Sequence, residues 1–326
     1  MRCVEIAEAG GPEQLVIVER DIPVPGPRQI VIKVQAAGVN YPDVLQRQGL
    51  YEVPPGASDI PGLEVAGTVH SIGSGVTHLA TGDPICALTP GGGYSEYALA
   101  PIEQCLPLPK NLSAVEAASL LEVYFTIWFN LAMQGNLLSA KSLLVHGGNG
   151  GIGSATIQLA SCLGVDTYTT AGSEKSCEFC VGLGAKRVID YRKEDFVDVI
   201  LEETDGTGVD IVLDIVGGSY FQRNMECLAQ KGRLINLYFL QGSKIEVDMM
   251  PVLKKSLTIT GSLLRPQPLS TKSEIASGIL NTVWPLLESG KINTVIDRTF
   301  PLAEASDAHK LMEAGGLSGK IVLLVD

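Results

Sequence analysis

The stretch that decides the fold is Leu143-Leu144-Val145-His146-Gly147-Gly148-Asn149-Gly150-Gly151-Ile152-Gly153. An apolar run ends at His146, glycines follow at 148, 150 and 153, and a helical pattern begins after them. Glycines at this spacing permit a tight turn, a close approach of the backbone to a pyrophosphate, and close packing of helix on strand. The spacing alone is a weak signal, but the required strand, turn and helix are all present. The stretch therefore predicts a dinucleotide site formed by Gly148, Asn149, Gly150, Gly151, Ile152 and Gly153.

The sequence around this turn alternates short apolar runs with longer helical patterns. The pattern predicts buried strands at residues 142–145, 165–170, 187–189, 211–216, 233–237 and 257–260. It predicts helices between them at residues 154–163, 174–183, 196–203 and 221–228. Such alternation is typical of parallel strands joined by right-handed crossover helices. We expect an α/β fold with a doubly wound Rossmann sheet of six strands.

The first third of the chain has a different pattern. Short apolar runs at residues 14–19, 30–35, 65–72, 84–88 and 94–99 are separated by turns rich in Pro and Gly. Repeated short strands with such turns predict a mostly β domain that extends to about residue 120. After residue 261 the α/β alternation stops, and two helical patterns at residues 272–290 and 303–313 lead to a closing strand at residues 321–325.

Composition excludes several kinds of protein. The 326 residues include 24 Lys and Arg against 36 Asp and Glu, and the net charge of −12 disfavours nucleic acid and anionic lipid surfaces as partners. The acidic N-terminal sequence lacks the apolar core of a signal peptide, and no run of about 18 apolar residues occurs, so we expect a cytoplasmic protein without a membrane partner. Seven irregularly spaced cysteines indicate reduced thiols rather than a disulfide framework.

The sequence lacks the spacing of a metal site. Cys177 and Cys180 form the only CxxC pair, no second pair accompanies them, and the four histidines are scattered. Since zinc sites usually combine closely spaced Cys, His or carboxylate ligands, we expect no bound metal. No nucleophile elbow and no Walker lysine occur either, which disfavours acyl transfer and nucleotide hydrolysis. Hydride transfer remains, because the cofactor carries the reactive group.

The residues after the second predicted Rossmann strand bear on the choice of cofactor. NAD-binding domains usually place an acid there to bind the ribose 2′-hydroxyl, whereas this chain has Gly172 and Ser173. These small residues leave room for a 2′-phosphate, and nearby polar side chains can bind it. NADPH is therefore favoured over NADH, although Glu174 and Lys175 are equally typical of the solvated first turn of a helix. The candidate phosphate ligands are Ser173, Lys175, Tyr191 and Arg192.

Several further motifs, spread over the whole chain, resemble one family. They lie at residues 38–43, 49–51, 55–58, 62–67, 190–192, 214–218 and 319–322, together with the glycine turn. The sequence resembles the medium-chain dehydrogenase/reductases, within them the zinc-lacking quinone oxidoreductases related to zeta-crystallin, and most of all the tumour-suppressor-inducible group. Zinc alcohol dehydrogenases of the superfamily have a cysteine ligand where this chain has Asn40 and a histidine ligand where it has Leu63. The resemblance thus agrees with the missing metal spacing.

The resemblance implies a domain organisation and an assembly. Residues 1–120 and 262–326 would form a GroES-like catalytic domain, with a Rossmann dinucleotide-binding domain of residues 121–261 inserted between them and a cleft that holds NADPH. It also implies a homodimer formed along the Rossmann sheet edges. The apolar strand at residues 257–260 is the expected seam, because an unpaired edge strand invites aggregation.

The resemblance also implies site residues. It places Asn40, Asp43 and Tyr51 near the nicotinamide, Thr126 near its ribose or the pyrophosphate, and Ser173, Lys175 and Tyr191 near the adenosine phosphate. Two more residues, Phe239 and Lys320, would approach the cofactor. The chain departs from its relatives at Gly150, where they often have Ser or Ala, and at Ser176, where their lysine commonly falls.

These expectations lead to one reaction and several alternatives. The nicotinamide would reduce a quinone or enone by hydride or electron transfer. Tyr51 and Asn40 would donate hydrogen bonds to the substrate oxygen that gains negative charge. Each of four candidate residues also has a purely structural alternative. Tyr51 would pack beside a proline turn, and Asn40 would form a turn. Lys320 would be a solvated residue at the start of a strand, and His146 would hydrogen-bond to backbone. Two other functions compete with quinone reduction: an enoyl-thioester or 2-alkenal reductase, and a low-turnover NADPH-binding protein like the crystallins.

Overall fold

The computed structural model describes residues 1–325. The strands in chain order are β1 (Arg2–Ile6), β2 (Leu15–Glu19), β3 (Gln29–Val39), β4 (Glu64–Ile72), β5 (Pro84–Leu88), β6 (Tyr97–Pro101), β7 (Cys105–Pro107), β8 (Ser142–His146), β9 (Asp166–Ala171), β10 (Arg187–Asp190), β11 (Val209–Asp214), β12 (Leu228–Asn236), β13 (Thr258–Gly261), β14 (Ile296–Pro301) and β15 (Lys320–Leu324). The α-helices are α1 (Tyr41–Arg47), α2 (Ala114–Ala117), α3 (Leu121–Ile127), α4 (Gly151–Cys162), α5 (Glu174–Gly182), α6 (Phe196–Glu203), α7 (Tyr220–Cys227), α8 (Met250–Lys255), α9 (Leu269–Glu288) and α10 (Ala305–Ala314). Within this described part, no helix combines the length and apolar character needed to cross a membrane.

The chain divides into two compact units. Unit 1 joins residues 1–125 to the segment that begins at Arg265, and unit 2 comprises Thr126–Leu264. The sequence analysis places these divisions at 120/121 and 261/262. In the structure the first division falls within α3, between Phe125 and Thr126. The second lies further along because Ser262 still belongs to unit 2, where its hydroxyl donates to Asn130 Oδ1 at 2.8 Å.

Unit 2 contains the predicted Rossmann sheet. Its six strands have the order β10-β9-β8-β11-β12-β13, and all the pairs are parallel. This is the doubly wound order in which the first strand of the motif, β8, lies at the centre beside the fourth, β11. The central strands β8 and β11 are buried along most of their length, because helices cover parallel sheets on both faces. Since the strands are parallel, the turns that follow β8 to β12 all lie along one edge of the sheet.

Unit 1 is mostly β, as predicted. One sheet has the order β14-β15-β3-β4-β5-β7 with β6 also paired to β3, and β1 pairs with β2. The C-terminal strand β15 runs antiparallel to β3, with Ile321 opposite Val39 and Leu324 opposite Ala36. The last segment of the chain therefore completes the N-terminal sheet, and its buried strands β3 and β15 supply much of the core of the unit.

Two strands, β14 and β12, differ from the sequence-based expectation for a physical reason. β14 has no predicted counterpart because it is an exposed edge strand without an apolar face. β12 begins at Leu228 rather than at residue 233, since Lys231 adopts a positive φ of 62° and the strand continues through this irregularity. β13 does form an edge of the Rossmann sheet, where the sequence analysis places the dimer seam.

Candidate active site

The glycine turn joins the end of β8 to the start of α4. Gly150 is the N-cap residue of α4, and no side chain caps this helix. The turn itself is closed by a hydrogen bond from Gly150 N to Gly147 O of 3.1 Å. The first N–H groups of a helix have no intrahelical acceptor, and together with the helix dipole they form an anion site. The backbone at residues 151–153 therefore offers uncapped donors to a phosphate.

The three glycines of the fingerprint are not equivalent. A methyl group at Gly148 would overlap Thr169 Oγ1, and one at Gly153 would overlap the carbonyl oxygen of Gly147. A methyl group at Gly150 would come no closer than 3.5 Å to that same oxygen. Packing within unit 2 therefore requires glycine at 148 and 153, whereas the space beside Gly150 is open.

His146 braces the end of β8 through side chains. Its Nε2 lies 2.8 Å from Asn224 Oδ1, and its Nδ1 lies 3.1 Å from Thr170 Oγ1. The expectation that this histidine bonds to backbone is therefore wrong: the neighbouring strand and α7 present side-chain partners at the same depth. Burial lowers the pKa of His146, so the neutral imidazole is the favoured form.

The residues expected near an adenosine phosphate follow β9 and β10. Ser173 caps α5 by accepting from Ser176 N at 3.2 Å, and the two hydroxyls are 2.9 Å apart. Lys175 is exposed on the first turn of α5, and Tyr191 is 46% exposed. The ring of Tyr191 lies against Gly172, where a methyl group would overlap its hydroxyl. The hydroxyl groups of Ser173 and Tyr191 and the ammonium group of Lys175 thus follow the ends of β9 and β10 on the surface of unit 2.

Two further predicted residues lie in unit 2. Phe239 follows β12, is 40% exposed and packs on Gly217, whose φ of 64° lets the chain turn beneath the ring. It therefore lies on the same sheet edge as the glycine turn. Thr126 is half-buried in α3, and its carbonyl oxygen accepts from Asn130 Nδ2 at 3.0 Å.

In unit 1, the pairing of β15 with β3 brings Lys320 beside Asn40. Lys320 Nζ lies 2.7 Å from Glu64 Oε1 and donates to Asn40 Oδ1. Asn40 Nδ2 donates to the same Glu64 oxygen at 2.9 Å. The three residues are only 6%, 1% and 7% exposed, in the order Asn40, Glu64, Lys320. The alternative of a solvated Lys320 is therefore wrong, because the sheet buries this side chain against a carboxylate.

Asp43 holds the backbone around this cluster. Its carboxylate accepts from Asn40 N at 2.8 Å, from Gly62 N at 3.0 Å and from the Tyr94 hydroxyl at 3.2 Å. Burial raises the pKa of Asp43 to about 6, against the opposing effect of these hydrogen bonds. The side chain has no exposed surface. In this geometry Asp43 positions Asn40 rather than offering an atom to a ligand.

Tyr51 stacks on Arg265, which is itself held in place. The guanidinium carbon lies 5.3 Å from the centroid of the Tyr51 ring. Arg265 donates from Nε and Nη2 to Pro90 O at 3.1 and 2.7 Å, and from Nη1 to Gln46 Oε1 at 2.9 Å. Burial, with a smaller contribution from Glu122, raises the pKa of Tyr51 to about 12. Its hydroxyl therefore stays protonated and can donate.

Several charged residues of this neighbourhood are not predicted from the sequence. Glu122 donates its backbone N–H to Glu64 Oε2 at 2.9 Å, and burial together with Glu64 raises the pKa of its side chain to about 8. Lys272 donates to the carbonyl of Arg265 at 2.9 Å. Signals did exist for both acids: Glu122 interrupts the apolar stretch of residues 120–133, and Glu64 lies in the quoted motif of residues 62–67. Nothing in the sequence indicates that the two meet.

The structure thus groups the predicted residues into two sets. Asn40, Asp43 and Lys320 form one hydrogen-bonded cluster in unit 1, where Tyr51 also lies. The glycine turn, Ser173, Lys175, Tyr191 and Phe239 share one sheet edge of unit 2. Among residues 1–325, no group of three or more His, Cys, Asp or Glu is arranged to hold a metal ion.

Comparison with known families agrees with both units. Residues 26–110 match the alcohol dehydrogenase GroES-like domain, and residues 183–323 match the family described as zinc-binding dehydrogenase. With the parallel sheet and its glycine turn, these matches define an oxidoreductase of the medium-chain dehydrogenase/reductase type.

Similarity to individual proteins identifies the family within this superfamily. The chain is 34% identical to the quinone oxidoreductase of Rattus norvegicus over 331 residues, which is 100% of this chain and 98% of that protein. The crystal structure of Escherichia coli quinone oxidoreductase complexed with NADPH superposes with a TM-score of 0.88 at 29% identity, covering 99% of this chain and 100% of that one. The structure of a 2-haloacrylate reductase gives a TM-score of 0.85 at 31% identity, with 99% of each chain covered. The chain belongs to the quinone oxidoreductase family of the medium-chain dehydrogenase/reductases.

Proposed function

We propose that this enzyme is an NADPH-dependent, zinc-independent quinone reductase that acts on quinones or related conjugated carbonyls. The observation that carries the proposal is the likeness to the rat quinone oxidoreductase over the whole chain. The two groups of residues described above supply the chemistry: unit 2 binds the cofactor, and the cluster of unit 1 binds the substrate oxygen.

The donor groups of unit 2 support the cofactor. The uncapped start of α4 suits a pyrophosphate, and glycine at 148 and 153 keeps the turn closed beneath it. Ser173, Lys175 and Tyr191 supply hydroxyl and ammonium donors to a 2′-phosphate, which favours NADPH over NADH. Phe239, on the same edge, offers an aromatic surface to the cofactor, and Thr126 is proposed to contact its ribose or pyrophosphate.

The residues of unit 1 support stabilisation of negative charge. Bound NADPH supplies a hydride equivalent. A quinone that accepts the hydride also takes up a proton, so charge develops on a carbonyl oxygen before that proton arrives. Asn40 Nδ2 and the Tyr51 hydroxyl donate to this oxygen, and fixed donors of this kind lower a barrier most where water is excluded. Asp43 holds the backbone of Asn40, and Arg265 holds the ring of Tyr51.

The side chains at the metal positions of relatives support zinc independence. Asn40 stands where zinc dehydrogenases have a cysteine, and its amide oxygen accepts from Lys320. Leu63 stands where they have a histidine and is buried and apolar. Neither side chain supplies the thiolate or imidazole that zinc prefers.

The test is a panel of substrates. NADPH consumption is measured with 1,4-benzoquinone, 9,10-phenanthrenequinone, a 2-alkenal and crotonyl-CoA, and each reaction is repeated with NADH. We expect the highest kcat/KM with a quinone and NADPH. Inactivity with both quinones would refute the proposal.

The same panel tests a second candidate, an enoyl-thioester or 2-alkenal reductase. The likeness to a 2-haloacrylate reductase favours it, since the substrate named there is also a conjugated carbonyl compound. Higher kcat/KM for crotonyl-CoA or the alkenal would establish this candidate. Tight NADPH binding without turnover of any substrate would instead indicate a crystallin-like binding protein.

We further propose that the protein is a cytoplasmic homodimer. The edge strand β13 leaves one side of its backbone unpaired within the described chain, and Leu253 and Leu263, which precede and follow it in the sequence, are 77% and 57% exposed. Pairing with a second copy would cover both features. Light scattering after size-exclusion chromatography should give twice the 34.5 kDa of one chain, and a monomeric mass would contradict the assembly.

A further inference from the structure

The side-chain amide of Asn40 lies between two groups of opposite hydrogen-bonding character. The Lys320 ammonium can only donate, and it faces Oδ1. The ionised Glu64 carboxylate can only accept, and its Oε1 lies 2.9 Å from Nδ2. Rotating the amide by half a turn would place NH₂ against the ammonium and the carbonyl oxygen against the carboxylate. Both contacts would become repulsive, so a single orientation is compatible with the ion pair.

We propose that Glu64 and Lys320 are positioning residues that lock the amide of Asn40, so that its remaining Nδ2 hydrogen is presented to the substrate oxygen. The inference deepens the proposed function and rests on it, because it concerns the donor that the proposed reaction uses. It gives Lys320 an indirect role in place of the direct cofactor contact that the resemblance implies.

The hydrogen-bond inventory of Asn40 supports this role. An amide NH₂ carries two hydrogens, and the bond to Glu64 uses one of them. The backbone N–H of Asn40 donates to the Asp43 carboxylate, so it is not available to donate to the substrate oxygen. With the oxygen facing Lys320, the second Nδ2 hydrogen is the one donor of this side chain left for a ligand.

The contacts around Glu64 hold the ion pair between Glu64 and Lys320 in place. Glu64 Oε1 lies 2.7 Å from Lys320 Nζ, and Glu64 Oε2 accepts from Glu122 N at 2.9 Å. A methyl group at Gly38 would overlap the Glu64 carboxylate, so the glycine leaves the space that the pair occupies. Buried charges are stable only when paired, so replacing either partner removes the charge that holds the other in place. A neutral amide in place of either residue both donates and accepts, and the lock is then lost.

The test compares variants of Lys320. Lys320→Gln keeps a polar side chain but introduces an acceptor, and we expect kcat to fall about tenfold, less than the ~100-fold or more seen when an oxyanion donor is deleted outright. Lys320→Arg remains a pure donor, and we expect it to retain kcat within about threefold. Lys310→Gln, at an exposed lysine paired with Asp307, is the matched control and should leave kcat unchanged. If Lys320→Gln does not fold, Glu64→Gln gives the same test from the other side of the amide.

A double-mutant cycle separates positioning from direct contact. In the Asn40→Ala background, Lys320→Gln should change kcat by less than about twofold, because the group through which it acts is gone. The Kd for NADPH should be unaffected by Lys320→Gln. A further tenfold loss of kcat in the Asn40→Ala background, or a higher Kd for NADPH, would mean that Lys320 acts directly and not through Asn40. Either result would overturn the proposal.

A readout that does not depend on turnover completes the test. The side-chain ¹⁵N–¹H₂ signals of Asn40, assigned by their loss in Asn40→Ala, should report one orientation in the free wild-type protein. They should shift or broaden in Lys320→Gln and remain unchanged in Lys310→Gln. Identical Asn40 signals in wild type and Lys320→Gln would overturn the lock, even if the enzyme proved inactive on quinones. Inactivity of the wild-type protein on quinones, with the signals responding as expected, would refute the proposed function alone.

Discussion

The ring of Tyr51 and the guanidinium of Arg265 are stacked, with 5.3 Å between the guanidinium carbon and the ring centroid. Three hydrogen bonds from Arg265 to Pro90 O and Gln46 hold the cation in place. The ring is therefore located by a rigid neighbour, and cation–π contacts of this kind strengthen when they are partly desolvated. Within residues 1–325 the Tyr51 hydroxyl makes no hydrogen bond, which leaves it free to donate to a ligand.

Removing that hydroxyl tests its role. We expect Tyr51→Phe to lower kcat/KM for every accepted substrate by up to ~100-fold, since one lost oxyanion donor costs about 3 kcal/mol of barrier. Steady-state kinetics with the best quinone measures the effect. Tyr97→Phe, the same change on β6 of the same unit, is the control. Unchanged kcat/KM in Tyr51→Phe would eliminate the donor role.

The glycine turn offers a matched pair of substitutions. Gly153→Ala forces a methyl group onto the Gly147 carbonyl, whereas Gly150→Ala meets nothing closer than 3.5 Å. We expect Gly153→Ala to weaken NADPH binding at least tenfold and Gly150→Ala to change it less than about threefold, because only the first distorts the phosphate-binding backbone. Isothermal titration with NADPH measures both. An NADPH affinity that Gly153→Ala left unchanged would show that this turn does not determine cofactor binding.

Lys175 tests the preference for NADPH. The side chain is exposed, and Lys175 lies two residues after Ser173 in the first turn of α5. Removing one cation from a phosphate contact should raise the KM for NADPH about tenfold while leaving that for NADH within about twofold. Lys186→Ala, at an exposed lysine paired with Asp166 near the opposite ends of the strands, serves as the control. If Lys175→Ala left the ratio of the two KM values unaltered, the 2′-phosphate would be bound by other residues.

Glu122 should make stability depend on pH. Burial raises its pKa from 4.5 to about 8, so between these values the folded protein holds a proton that the unfolded chain has released. The free energy of unfolding therefore falls as pH rises through this window. Gln does not titrate, so Glu122→Gln should gain stability relative to wild type when pH rises from about 5 to about 8.

Urea denaturation at the two pH values measures this difference. Glu52→Gln, at an exposed glutamate of the same unit, should give a constant difference from wild type. A difference for Glu122→Gln that stayed constant, or that decreased with pH, would contradict the buried environment assigned to this carboxyl group.

Local sequence signals were sufficient for much of the fold. The predicted bounds of β5 and α6 match the structure to the residue, because each is an apolar or amphipathic run that ends at clear polar or turn residues. The glycine turn and the alternating pattern predict a parallel Rossmann sheet of six strands, but not the order of those strands. Elements without an apolar face, such as the exposed strand β14, could not be recognised in this way.

The arrangement of the candidate site could be predicted only in part. Asn40 and Lys320 were both candidates from the family resemblance, but their contact depends on the pairing of β15 with β3, which joins residues 280 positions apart. No local pattern encodes a register between strands so far apart in the chain. For the same reason Glu64 and Glu122, each visible as a lone acid in an apolar segment, were not recognised as neighbours.

The most direct test of the account is NADPH oxidation by protein that has been treated with a chelator and shown by elemental analysis to be free of zinc. With 9,10-phenanthrenequinone as the acceptor, we expect saturable NADPH consumption at the rate of the untreated enzyme. Loss of activity on chelation with recovery on added zinc, or no NADPH consumption before or after treatment, would contradict the account.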